Sequence, residues 1–455
     1  MAGVTERLAR FITETSIDNI DQKTIAAAKR HILDTVGCLF AGSVEAGSRI
    51  GCAYVSEIGA GRASSMIPSG QKTSSAYAAL ANGLTAHLLD YDDYEWPSMA
   101  HPSVTVLPAA LALGENRHLS GRQFMTAYLV GLEVISHLGL GICPDHYEKG
   151  WHSTGTLGTI GAAGASVKAL GLDSDHVRSA LGIAASMSSG LRANFGSMTK
   201  AYHAGHAARC GVEAALLASK GFTAAAGVFE DSKLGFCEIF TGKGQYDLNL
   251  IVRDLGDPFA IQLPGLGLKP YPSCAATHST LDGLFHLIAE HAIKAEAVDS
   301  VECGIFYMYP QMLIHSRPRT GLEGKFSLEF CVALALMQRE VRLNGFTDAM
   351  VKKTPITALI RQVKTYVAKE LGGRGTQYPG AIVKVNLKNG KSHTYRVKNR
   401  KGSPANPLTE AEVLKKFLDC AGRIYKKSRC EEIAETILNL EQCNDMAAVV
   451  DLLVD

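Results

Sequence analysis

From Asp21 to Gly42 the chain reads "DQKTIAAAKRHILDTVGCLFAG". Its apolar residues recur at i, i+3, i+4 and i+7, the spacing of one face of an α-helix, and Gly42 follows as the expected C-cap. Three further segments repeat the theme: "SSAYAALANGLTAHLLD" (Ser74–Asp90), "GRQFMTAYLVGLEVISHLGLG" (Gly121–Gly141) and "GTIGAAGASVKALG" (Gly158–Gly171). Alanine and glycine crowd their apolar faces, which lets helix backbones approach closely. The pattern from Thr5 to about Gly265 predicts a tightly packed helical domain.

Past the proline-marked segment "DPFAIQLPGLGLKPYPS" (Asp257–Ser273) the texture changes. "AVDSVECGIFYMYP" (Ala297–Pro310) reads as a strand, and "GAIVKVNLKNGKSHTYRVKN" (Gly380–Asn399) as a β-hairpin turning at Asn389-Gly390. Between them, "LEGKFSLEFCVALALMQ" (Leu322–Gln338) and "DAMVKKTPITALIRQVK" (Asp348–Lys364) read as helix. The fold class expected is mainly α: a helical domain over 1–265, completed by 403–455, with a smaller α+β domain over 266–402. In "PLTEAEVLKKFLDCAGRIY", Thr409 and Glu412 form a predicted capping box that returns the chain to helix.

Bulk composition narrows the partners. The 455 residues carry 46 Lys+Arg against 44 Asp+Glu, a formal charge of +2, so no global field draws the chain to nucleic acid or an anionic membrane. The start, "MAGVTERLARFITETS", places Glu6, Arg7 and Arg10 where a secretory signal needs an apolar run, and predicts an amphipathic helix. Greasy stretches such as "VTVLPAALALG" (Val104–Gly114) fall short of the roughly 20 apolar residues of a membrane span. Eleven cysteines without a C-x-x-C pair predict reduced thiols and a cytoplasmic location.

Five places carry chemistry. "SMTKAYHAGHAARCG" (Ser197–Gly211) sets Lys200 and His203 on one helical face, with His206 beside them and Arg209 pointing away; the bland reading is side chains reaching solvent from a helix end. "HLLDYDDYEWPSMAHPS" (His87–Ser103) holds Asp90, Asp92, Asp93 and His101; Asp90 ends an apolar run and points inward, while the other two acids read equally as a solvated helix end. The spacing lacks the glycine and distal glutamate of a calcium loop. His152 precedes Ser153 at a helix N-terminus, where free N–H groups favour an anion. "LGLKPYPSCAATH" (Leu266–His278) brings Lys269, Tyr271, Ser273, Cys274 and His278, whose Cys–His spacing suits packing better than a thiol nucleophile. "RPRTGLEGKFS" (Arg317–Ser327) gathers Arg317, Arg319 and Lys325. There is no P-loop and no dinucleotide-binding glycine motif. Histidine, lysine and one aspartate suit proton transfer next to a carboxylate, with cations stabilising an enolate-like charge.

The order "DYDD…AHPS", "GWHSTGTLG", "NFGSMTKAYHAGHAARCGVEAALLASKGFT", "LKPYPSCAATH", "RTGLEGKFS", "NPLTEAEVLKKF" resembles the MmgE/PrpD superfamily over almost the whole chain. The resemblance implies a large helical domain completed by the C-terminal helices, an α+β lid domain, a homodimer, no metal or organic cofactor, and a site between the domains. It implies catalytic roles for Asp90, His101, His152, Lys200 and Lys269 and for a tyrosine, Tyr307 or its neighbour Tyr309. His203, Ser273, Cys274 and His278 are the expected substrate-binding set. Members include 2-methylcitrate dehydratases, cis-aconitate decarboxylases and iminodisuccinate epimerase. Val104 after His101-Pro102-Ser103, and "TKAYHAG", point away from the dehydratases; Cys274 departs from animal decarboxylases, which look to carry histidine there.

The expectation is a cofactor-independent lyase acting on a small di- or tricarboxylate, with an epimerase as second choice, a dehydratase as third and a non-catalytic scaffold as the rival. Lys200, Lys269 and His203 are expected to hold carboxylates, His101 and His152 to move the proton, and Asp90 to orient one of them. Each cation in a dry pocket is worth about 2–4 kcal/mol of barrier.

Overall fold

The amphipathic start of the chain folds as α1 (Val4–Glu14), which buries Val4, Leu8 and Ile12. The computed structural model describes residues 3–454, so the first two residues of that predicted helix lie outside it. The next helix, α2 (Gln22–Ser43), is capped by Asp21, whose carboxylate accepts the Lys23 and Thr24 N–H groups. It runs through Gly42, so that glycine is not the stop signal expected. A Cβ at Gly42 would collide with the Thr85 carbonyl oxygen; the glycine is there to let a neighbouring helix approach.

That neighbour is α3 (Ser75–His87), followed by α4 (Ser103–Arg117), α5 (Gly121–Ile142), α6 (Ser153–Leu170) and α7 (Met198–Ala218). α5 starts with a capping box between Ser120 and Gln123, and α6 stops at Gly171 in the left-handed region (φ 65°). α6 packs on α4, α5 and α7, and α7 packs on α3. These crossings rest on small residues. A Cβ on Gly205 would collide with the Leu80 carbonyl, one on Gly211 would lie 2.5 Å from the Ala162 carbonyl carbon, and one on Gly131 would lie 2.8 Å from the Gly161 oxygen. α5 is long and apolar enough to cross a membrane, which the sequence reading overlooked; 94% of its most apolar window is buried in the protein.

The second unit is built on a four-stranded sheet of β1 (Val298–Ile305), β2 (Val363–Val367), β3 (Ala381–Leu387) and β4 (Ser392–Val397), ordered β2-β1-β3-β4. β1 pairs parallel with β2 (Val301 opposite Val363) and antiparallel with β3 (Val301 opposite Val385). β3 and β4 form the expected hairpin, turning at Asn389-Gly390 with Gly390 at φ 84°. α8 (His278–His291) covers β3 and β4, and α9 (Leu328–Gln338) is buried beside it. β2 corrects the sequence reading, which carried helix to Lys364. The helix there ends at Ile360, and the β-branched and aromatic run Val363, Thr365, Tyr366, Val367 pairs as an edge strand.

The apolar side chains collect into two main cores. One gathers residues of α1 to α7 with Leu408, Phe417, Ile433 and Val450 of the tail. The other gathers Leu284, Val301, Phe330 and Val383, with Tyr147 and Phe195 reaching in from the helical side. α10 (Glu410–Ala421) carries the expected Thr409–Glu412 capping box and packs against α2, with Phe417 against Phe40.

Candidate active site

α3 and α7 run antiparallel, and the Gly83–Gly205 contact fixes their separation. His87, four residues after Gly83, therefore meets Lys200, five before Gly205: Lys200 Nζ lies 2.7 Å from His87 Nε2. The same ammonium donates to Asp90 Oδ1 at 2.8 Å. Asp90 has a positive φ of 49°, a conformation aspartate tolerates better than most residues. The turn that holds it is secured by three buried lysines on consecutive carbonyls. Lys325 donates to Leu89 O (2.7 Å), Lys269 to Asp90 O (2.8 Å) and Lys416 to Tyr91 O (2.6 Å). Lys269 also pairs with Asp90 Oδ1 at 3.0 Å, and Lys416 with Asp34 at 2.6 Å.

Burial alone would raise the Asp90 carboxyl; Lys200 and Lys269 override it and hold the group far below the ordinary carboxylate range. Asp92 is also buried and also held low, by His87 and His101. It accepts from His87 Nδ1 (3.0 Å) and lies 3.0 Å from His101 Nδ1, which hydrogen-bonds the Asp93 carbonyl at 2.8 Å. Oxygen neighbours put the proton on Nδ1 of both rings. His101 therefore presents a bare Nε2, 3.7 Å from Asp90 Oδ1. Burial, then Lys269 and Lys200, push His101 below its ordinary 6.5; burial takes His87 down to about 3.

His152 caps α6 and bonds His203 through the two Nδ1 atoms at 3.0 Å. Its Nε2 is buried and unpartnered. Burial first, then Lys200 and His203, hold it well below 6.5.

These groups enclose a cavity of about 50 Å³ at the seam between the two cores. Of the residues singled out from sequence, Asp90, His101, His152, Lys200, Cys274 and Tyr309 line it. Lys269 and His203 stand one layer behind, Lys269 tying down Asp90 and His203 backing His152, so neither is placed to touch a ligand's carboxylate as expected. Ser273 and His278 are fully buried beneath the Cys274 turn, where Ser273 meets Thr277 and His278 meets the Ser273 carbonyl. Tyr307 faces Glu148 and a separate cavity; Tyr309 is the tyrosine at the site. Burial pushes the Cys274 thiol up to about 11, which keeps it protonated and poorly nucleophilic.

The bland readings hold for some residues and fail for others. Arg209 pairs with Glu213, His206 stacks on Tyr202, and Arg317 and Arg319 are exposed. Asp92 and Asp93 do not face water: both are fully buried, and Asp93 binds His31 and Ser103 beneath His101. His87 went unnoticed in sequence, although it sits one helical turn before Asp90. Glu95 and Arg400, which also line the cavity, had no local signal. Burial lifts Glu95 to about 7.

His87, Asp90, Asp92 and His101 offer atoms within 4.8 Å of one another, a spacing that suits a metal. The Lys200 ammonium already occupies the position between His87 Nε2 and Asp90 Oδ1, and it opposes a second cation there.

The pattern of the MmgE/PrpD N-terminal domain matches residues 6–249, and that of the MmgE/PrpD C-terminal domain matches 271–442. A cis-aconitate decarboxylase of Aspergillus terreus is 27% identical over 99% of this chain and 96% of its own. That of Homo sapiens is 28% identical over 100% and 95%, and that of Mus musculus 26% over 100% and 94%.

Proposed function

This chain belongs to the MmgE/PrpD family, and from that premise we propose that it is a carboxy-lyase releasing carbon dioxide from a small unsaturated tricarboxylate of the cis-aconitate kind. The observation that carries this reading is the seam cavity, where Lys200, His101 and His152 face one space. Full-length similarity to cis-aconitate decarboxylases supports the reaction class.

The bond from the CH2 carbon to its carboxylate breaks, and that electron pair forms a new double bond to the central carbon. The pair of the old double bond takes a proton at the far carbon. A trianion and one proton become a dianion and CO2. Negative charge builds at the far carbon and on its own carboxylate, and Lys200 stabilises it there. The proton comes from His101 or His152. Asp92, fixed on His101 Nδ1, stabilises the imidazolium that His101 needs in order to donate through Nε2. A bound trianion offsets Lys269 and Lys200, so His101 is protonated as substrate binds.

Incubation with cis-aconitate in D2O, followed by ¹³C NMR, tests the reading. The expected result is CO2 together with a product carrying one deuterium. Intact cis-aconitate after long incubation with folded protein refutes it. A second reading, removal and return of a proton at one carbon, draws on the two histidines facing the same space with ring centres 6.4 Å apart. Loss of optical activity of an aminated succinate in the same assay selects it.

A further inference from the structure

Arg400 lies on the loop after β4 and is fully buried. A guanidinium keeps its proton at any working pH, so its charge cannot be avoided by titration. Yet among the described residues no carboxylate lies within the 4.0 Å of an ion pair with it. Its Nε donates to Tyr94 OH (2.9 Å) and its Nη1 to Tyr309 OH (2.8 Å); Nη2 has no partner among the described residues. The rings of Tyr94, Trp96 and Tyr378 surround it, with centroids 4.8, 5.8 and 5.6 Å from Cζ. Aromatic faces offset part of the desolvation but do not neutralise the charge. A buried charge with one free donor, lining the same cavity as Lys200 and His101, is an anion site awaiting its anion.

Resting on the tricarboxylate reading above, we propose that Arg400 and the Tyr94 hydroxyl bind a carboxylate of the substrate that does not react. Tyr94 accepts from Arg400, which leaves its own proton to donate to the ligand. Gly267 makes this placement possible, because a Cβ there would lie 2.6 Å from the Tyr94 hydroxyl oxygen. The carboxylate held here is a spectator for an electrostatic reason. The departing group loses its charge as CO2 forms, so a cation on it would stabilise the ground state more than the transition state and slow the reaction. Arg400 thereby makes a second, remote carboxylate a condition of tight binding.

The test is calorimetric titration with three unreactive probes: tricarballylate, glutarate, which lacks its central carboxylate, and 2-methylsuccinate, which lacks a terminal one. Arg400→Gln is expected to weaken tricarballylate about 30- to 100-fold, the effect of losing a charged hydrogen bond. It should weaken by less than threefold whichever dicarboxylate lacks the group Arg400 reads. Equal losses on all three probes, a loss under threefold on tricarballylate, or no binding of tricarballylate to the unaltered protein each overturns the proposal. Should Arg400→Gln not fold, Arg400→Lys carries the same comparison, with at least a tenfold loss on tricarballylate expected and no loss overturning it. CO2 release from cis-aconitate is read separately. Arg400-dependent tricarballylate affinity without CO2 release would remove the decarboxylase reading and leave the carboxylate site standing.

Discussion

His101 takes its chemical character from what surrounds it. In the unliganded protein burial, Lys269 and Lys200 keep it below 6.5, so near neutral pH it lacks the proton it would donate in the proposed decarboxylation. A rise in pH through and above its lowered pKa removes that proton from the free protein. We therefore expect kcat/KM for CO2 release to fall about tenfold per pH unit between roughly 6.5 and 8. kcat should stay flat over more of that range, because bound substrate restores the proton. Asp92→Asn should lower kcat by about 10²- to 10³-fold with the fold intact by circular dichroism. Steady-state rates from pH 5.5 to 8.5 decide the matter, and a kcat/KM that rises with pH sinks it. Asp90, His101, His152 and Lys200, which line one cavity, stood out in the sequence as polar groups beside apolar or small-residue runs, while the roles expected of them came from the family resemblance alone. Arg400 was not. It sits in "KNRKG", which reads as a solvated basic turn, and only tertiary packing of Tyr94, Trp96 and Tyr378 buries it.

Glycine spacing on α7 sets the distance between the two helices that carry Lys200 and His87. Gly205→Ala forces the α3 backbone away, since the new Cβ would collide with the Leu80 carbonyl and lie 2.8 Å from Leu84 N. The expected cost is about 1–3 kcal/mol in urea unfolding, together with a fall in kcat as the 2.7 Å Lys200–His87 contact opens. Gly211→Ala serves as the control. It clashes with Ala162 and Ala163 of α6, so it should cost similar stability while leaving kcat per folded molecule unchanged. Equal kcat in the two variants would show that the spacing does not matter to the site. Helices and the hairpin were readable from periodicity and turn residues, whereas β2 was missed. Its five residues follow a short helix without a glycine or proline between, and only pairing with β1 settles their conformation.

Across the whole molecule the Asp90 turn is tied to segments far apart in sequence. Lys416 of α10, itself buried, joins Tyr91 O to the buried Asp34 of α2. Lys416→Met leaves Asp34 uncompensated and should cost about 3–5 kcal/mol by chemical denaturation, with a loss of activity. Adding Asp34→Leu should restore stability but not turnover, because the Tyr91 carbonyl stays unheld; a fully active double variant would show that the tie has no catalytic role. The change of texture after Asp257 and the helix start at the Thr409–Glu412 cap were legible in the sequence. The tie itself was not, since nothing near Lys416 marks it as more than a surface residue of an amphipathic helix. The tie also has a temporal side. The turn bearing Asp90 is synthesised 325 residues before the side chain that fastens its last carbonyl. Until α10 has been made, a nascent chain therefore lacks the ammonium that holds the last carbonyl of this turn.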